Sequence, residues 1–140
     1  MGRPLSQDME TYGYFQASSG STAVLQTTVF DMTGFEGLML IGYRNATLAE
    51  TSGGLFVQTG TASGTLSDTT GIQNLAQTCI YLDNHRPDKR FVQGNFRATA
   101  SGEQRTLIAL RYGARSLPTT QPASTTGKVL YTPGSGTATG

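Results

Sequence analysis

Apolar residues in this chain come in short runs, alternating or continuous, set between breaks rich in glycine, serine and threonine. Ser21 to Phe30 alternates. Ala23, Leu25, Thr27 and Val29 fall on one side and Val24, Gln26, Thr28 and Phe30 on the other, the period of a half-buried strand. Asp31-Met32-Thr33-Gly34 places Asp and Gly where a turn uses them. Leu38-Met39-Leu40-Ile41-Gly42-Tyr43 is apolar without a break and short, which predicts a central buried strand. Leu55 to Thr59 predicts another strand, with Arg44 to Gly54 as a loop before it. The small-residue stretch Gly60 to Gly71 reads as a loop draped over a partner or left mobile. Ile72 to Leu75 and Thr78 to Leu82 are candidate short strands, with one helical turn within Gly71 to Leu82 as the alternative.

The most informative stretch runs from Tyr81 to Arg115. Arg90 to Arg97 and Arg105 to Tyr112 are rich in aromatic and β-branched residues and flank Ser101-Gly102, a hairpin pattern. A short helix across Glu103 to Tyr112 fits the spacing of Leu107, Leu110 and Arg111, but the glycine-rich flanks and short length favour a strand. After it, Pro118, Pro122 and Pro133 keep the tail extended, since proline donates no ladder hydrogen bond. Lys128 to Thr132 is a candidate edge strand. Residues 1–20 lack helical periodicity and read as a polar arm whose aromatics Tyr12, Tyr14 and Phe15 need a surface to lie on.

The expectation is therefore an arm over 1–20, one antiparallel β-sandwich over 21–117, jelly-roll-like, and an extended tail over 118–140. Composition agrees: 22 Thr, 11 Ser, 18 Gly and no Trp favour pleated surfaces and turns over helices. The 140-residue length suits a single domain able to bury a core without staples. No apolar run approaches the ~20 residues of a membrane span, and no charged-then-apolar leader opens the chain, so the expectation is a protein made in a reducing cytoplasm.

Charge divides unevenly along the chain. Residues 1–84 carry Arg3 and Arg44 against seven acids, a balance of −5, and residues 85–140 carry eight bases against Asp88 and Glu103, a balance of +6. Halves of opposite sign attract, either between copies or within one folded surface. Arg86, Lys89, Arg90, Arg97, Arg105, Arg111 and Arg115, interleaved with Phe91, Phe96 and Tyr112, resemble a single-strand nucleic-acid platform. Arginine also dominates protein interfaces, and the acidic first half supplies carboxylates for it, so a protein interface is preferred and no direct nucleic-acid partner is expected.

Catalytic chemistry finds little support. His85 is the only histidine, and no serine sits in a glycine-flanked elbow beside it. Asp83, His85 and Asp88 lie within six residues but match no recognised metal spacing. Cys79 is the only cysteine, so no internal disulfide forms, and its strand-like neighbours predict a small core residue. Asn45-Ala46-Thr47 matches a glycosylation acceptor by chance in a chain without signs of secretion. No enzyme activity, metal or cofactor is expected.

One resemblance bears on function. The succession Asp31-Met32-Thr33-Gly34-Phe35-Glu36-Gly37-Leu38, a strand ending near Gln58, Arg86-Pro87-Asp88-Lys89-Arg90-Phe91-Val92, and Leu107 to Arg115 is similar to small head proteins of tailed bacteriophages. It spans residues 25–118, with a neutral Thr59-Gly60-Thr61-Ala62-Ser63 where an acidic loop often follows, and Gln93 where an arginine often stands. The resemblance implies a β-sandwich or jelly-roll capsid decoration (cement) protein on the virion surface. Its partner would be the major capsid protein, and its copies would close as a homo-oligomer, a trimer at three-fold positions. The expected contact residues are Tyr12, Tyr14 and Phe15 of the arm with Arg86, Arg90, Arg111 and Arg115. A phage carbohydrate-binding adhesion or fibre module is the alternative.

Overall fold

A computed structural model of the chain describes residues 4–16, 24–45, 54–68, 78–97, 104–115 and 120–127, and the fold is given for these alone. After a short 3-10 turn at Leu5–Gln7 come eight strands: β1 (Met9–Gln16), β2 (Leu25–Asp31), β3 (Gly37–Arg44), β4 (Gly54–Ala62), β5 (Thr65–Asp68), β6 (Cys79–His85), β7 (Phe91–Arg97) and β8 (Arg105–Tyr112). They form two antiparallel four-stranded sheets, ordered β1-β8-β3-β6 and β2-β7-β4-β5, packed face to face as a sandwich. Only β4 and β5 are joined within one sheet; every other link crosses to the opposite sheet.

The core lies between the sheets. Leu38 and Leu40 of β3, Leu107 and Ala109 of β8 and Ile80 of β6 meet Leu25 and Phe30 of β2, Leu55 and Val57 of β4, and Val92 and Phe96 of β7. Two glycines let the sheets interlock. A Cβ on Gly42 would lie 2.7 Å from the Phe96 ring, and one on Gly94 would lie 2.6 Å from Leu40 Cδ2. Each large side chain thus fills the space the opposite sheet leaves open, as a close-packed interior requires.

A bulge between Gln26 and Val29 changes which side chains β2 turns inward. Leu25 and Thr27 are buried, but so is Phe30, while Val29 is only partly covered. The strict alternation expected for this strand therefore holds through Thr28 and fails at Val29. Side chains and backbone of β7 satisfy the irregular turn: Gly94 N donates to Thr27 Oγ1 at 2.9 Å, and Gln93 Nε2 donates to the Thr27 carbonyl at 2.8 Å.

Four expectations are corrected. Arg105–Tyr112 is a strand, as preferred over the helix, yet it forms no hairpin with Phe91–Arg97, because β7 and β8 belong to different sheets. Seven residues, 98–104, separate the two strands, enough to cross the sandwich where a two-residue turn would force pairing. The loop expected over Gly60–Gly71 is in part a hairpin: β4 continues to Ala62 and β5 returns from Thr65. An edge strand this exposed needs few apolar residues, and Leu66 is its partly buried one. Cys79 is exposed rather than in the core, because it shares the outward face of β6 with Tyr81.

The fourth concerns the arm. Residues 9–16 are the edge strand β1, paired along its whole length with β8. Glu10, Tyr12 and Tyr14 turn inward, their polar ends held by partners: Tyr12 hydroxyl donates to Glu10 at 2.7 Å, and Tyr14 hydroxyl lies 3.1 Å from Thr28 Oγ1. The other edge of β1 is covered by the first part of the tail. Thr11 N donates to Gln121 Oε1 at 2.9 Å, Gln121 Nε2 donates to the Ser6 and Met9 carbonyls, and Thr125 Oγ1 donates to the Thr11 carbonyl at 2.6 Å. Side chains thereby occupy backbone groups that an open edge would offer to another strand. The candidate strands Ile72–Leu75 and Lys128–Thr132 lie outside the described residues.

Candidate functional site

Two adjoining surfaces stand out, and the first contains three of the four arginines expected to make contacts. At one end of the sandwich a concavity of about 630 Å³ is lined by Arg86, Lys89, Arg90 and Arg115 over Met32 and Phe35, with Glu36 and Asp88 as its acids. Local backbone chemistry builds it. Asp31 Oδ1 accepts from Thr33 N at 3.0 Å and Gly34 takes a φ of 87°, forming the expected turn. Arg86 has a φ of 52°, unusual for a residue with a Cβ, and its N–H donates to the Glu36 carbonyl at 2.7 Å. Arg115 N donates to the Gly34 carbonyl at 2.8 Å, which brings the far end of β8 to the same rim.

These cations differ in how free they are. Arg90 holds Asp31 by two bonds, Nε to Oδ1 at 3.0 Å and Nη2 to Oδ2 at 2.7 Å. Those bonds, with the Thr33 amide next, press the Asp31 carboxyl well below the usual carboxylate range. Arg86 is only loosely paired with Glu36, at 3.8 Å, and Lys89 with Asp88, at 4.0 Å. Arg115 is exposed. Arg86, Lys89 and Arg115 thus present charge outward, where it can meet an acidic surface.

Arg111 is not among them. Its guanidinium turns inward beneath β1, donating to Glu10 and, at 2.7 Å, to the Asp31 carbonyl, and it stacks 4.1 Å from the Phe35 ring. Only 16% of its side chain is exposed. Tyr12 likewise packs on the core, edge-on to Phe30 at 4.7 Å between centroids, and burial followed by the Glu10 hydrogen bond pushes its hydroxyl up to about 12. Of the three arm aromatics only Phe15 faces outward, 63% exposed. Arg105 also belongs inside: it lies opposite Arg44 in the register, and its Nη1 donates to the Phe96 carbonyl at 2.6 Å.

The second surface is the outer face of the sheet β1-β8-β3-β6. The register sets its side chains in rows: Tyr81, Ile41, Ile108, Gly13; Cys79, Tyr43, Thr106, Phe15; Asp83, Met39, Leu110, Thr11; His85, Gly37, Tyr112, Met9. Among the described residues these outward strand positions carry one carboxylate, Asp83, and no Lys or Arg, with Asp8 at the rim of the face. Tyr81 and Tyr43 are 66% and 56% exposed. A concavity of about 520 Å³ opens at one corner, floored by Met9, Met39 and Leu110 and bordered by Asp83, His85 and Tyr112. There Tyr112 hydroxyl donates to Asp83 Oδ1 at 2.6 Å and lies 3.0 Å from His85 Nδ1, and burial followed by the Asp83 bond raises its pKa.

The sequence reading missed most of this face. Its signal was present: Leu38–Tyr43 and Leu107–Leu110 are apolar at both parities, so a strand covered on one side by the core must show apolar residues on the other. The three residues considered for a metal are split, with Asp83 and His85 at Tyr112 and Asp88 in the basic concavity. Among the described residues no group of three or more His, Cys, Asp or Glu could hold a metal ion. In comparison with known proteins, no family model matches the chain, and no curated protein or solved structure matches it either.

Proposed function

We propose that this chain is a bacteriophage capsid decoration (cement) protein, a homo-oligomer that binds the major capsid protein lattice on the virion surface and stabilises the head. The observation that carries the reading is the convergence of Arg86, Lys89 and Arg115 on one end of the sandwich, beside an exposed apolar sheet face. Such surfaces suit protein contact, with charge setting orientation and apolar area supplying affinity. The strand orders β1-β8-β3-β6 and β2-β7-β4-β5, with links that alternate between sheets, support a jelly roll, an architecture common in viral shells. Many copies, each bridging neighbouring capsid subunits over more than about 1,000 Å², would add up to a shell that resists internal pressure.

The test uses expanded capsids lacking the protein. Purified chain should bind them and raise their resistance to heat and salt, and Arg86→Ala/Arg115→Ala should weaken binding most at low salt. No binding, with heat resistance unchanged, overturns the reading. A carbohydrate-binding adhesion or fibre module is the second reading. Tyr43 and Tyr81 favour it, since they are exposed diagonal neighbours on adjacent strands, able to stack on a sugar. Glycan-array binding abolished by Tyr81→Ala would select it.

A further inference from the structure

We infer that the outer face of β1-β8-β3-β6 binds the same face of a second copy about a two-fold axis, forming a sheet-on-sheet dimer. The argument begins with what is missing. Among the described residues the sixteen outward strand positions of this face hold one carboxylate and no Lys or Arg, with Asp8 at the rim, whereas charged side chains are what a surface meant for water normally carries. Depletion of charge at the centre of an apolar patch is the mark of homodimer interfaces. Four strands by four outward positions, at spacings of ~4.8 Å and ~6.8 Å, span about 500 Å² in projection. Side-chain relief and the rim bring this toward the ~800 Å² that each partner contributes to a stable interface.

The order of residues in each row identifies the occupant. A two-fold axis parallel to the strands, running between β3 and β8, lays β8 on the partner's β3 and β1 on the partner's β6. Every row then meets its own reverse. Tyr81 falls on the partner's Gly13, Phe15 on the partner's Cys79, and Tyr43 on the partner's Thr106. Ile41 meets the partner's Ile108, Met39 the partner's Leu110, and the Asp83 carboxylate the partner's Thr11 hydroxyl. In these three rows large residues oppose small ones and medium residues oppose medium ones, as isologous packing requires.

Gly13 is the sharpest instance. A Cβ there would have nothing within 4 Å, so it is an open hollow in the face that no side chain of the described residues fills. The equivalent hollow at Gly37 is covered by its own Tyr112 ring. Tyr81, at the opposite end of the row from Gly13, is the most exposed aromatic among the described residues. An unrelated partner has no reason to need both ends of one row matched in reverse. The pairing closes as a dimer, in place of the trimer expected from sequence. In that dimer the apolar face is taken by the second copy and the basic concavity is left for the capsid, and no capsid enters the test, so the two readings fail separately.

Sedimentation velocity on the full chain at ~10 µM should give twice the 14.8 kDa chain mass. Gly13→Leu, which has room in the monomer, should keep the β circular dichroism spectrum and weaken association at least ~100-fold, because symmetry places it twice in the interface. Gly13→Leu/Tyr81→Ala exchanges knob and hollow and should restore the dimer. A monomer at ~100 µM, a trimer, a Gly13→Leu variant that associates as tightly as the native chain, or a double variant no tighter than Gly13→Leu overturns the inference.

Discussion

Arg111 separates a residue that holds the fold from one that holds a partner. Its guanidinium ties β8 to Glu10 on β1 and to the Asp31 carbonyl at the end of β2, over the Phe35 ring. Arg111→Met keeps the apolar stem and removes all three. The Arg111 and Glu10 side chains are 16% and 14% exposed, so the carboxylate left behind is mostly out of water. Breaking a buried pair from one side costs ~3–5 kcal/mol, and residual exposure lowers that, while the lost cation–π contact adds ~0.5–2 kcal/mol. We expect about 3 kcal/mol in all. At ~2.1 cal/mol/K per residue, a 140-residue chain has an unfolding entropy near 0.3 kcal/mol/K, so the melting temperature should fall by about 10 °C. The assay is urea and thermal unfolding at pH 7 on a double-mutant cycle. Glu10→Gln/Arg111→Met removes both charges and should recover at least ~1 kcal/mol over the single variant. A loss below ~1 kcal/mol, or a double variant no more stable than Arg111→Met, would refute the reasoning and return Arg111 to the candidate interface.

Other outcomes follow from the same geometry. The Asp31 pKa is depressed in the fold, so its contribution to stability is full above the ordinary carboxylate range and is lost as pH falls from that range toward the depressed value; Asp31→Asn should flatten the acid limb of a melting-temperature profile, and an unchanged limb counts against the Arg90 clasp. Tyr12 is shifted the other way, from 10.0 to about 12, so its contribution is full below pH 10 and is lost between pH 10 and about 12; Tyr12→Phe should remove that loss. Gly42→Ala forces a methyl toward the Phe96 ring at 2.7 Å and should cost ~1–3 kcal/mol by urea denaturation. Arg115→Ala should leave the melting temperature within about a degree, since exposed side chains without structural partners contribute little.

The chain's local chemistry settled its class. Short apolar runs, abundant threonine and glycine punctuation allow strands and little else, and β2, β3, β4, β6, β7 and β8 all fall where such runs stand. The Asp31–Gly34 turn was equally legible, because Asp and Gly act on their own backbone. Strand β1 was not, since its inward residues are Glu10 and two tyrosines, which look polar until Arg111 and Thr28 are seen beside them.

Which strands pair, and which side of each is wet, is decided at long range. The run Arg90 to Tyr112 looked like a hairpin because sequence shows neighbours in the chain, whereas β7 and β8 find their partners in opposite sheets. The arginines show the same division. Their number was plain in the sequence, but only the folded sandwich turns Arg111 toward Glu10 and leaves Arg86 and Arg115 facing out. An apolar residue on a strand faces the core or the outer surface, and its type alone does not say which. The second sheet, by covering one side of β3 and β8, leaves Ile41, Met39, Ile108 and Leu110 on the other.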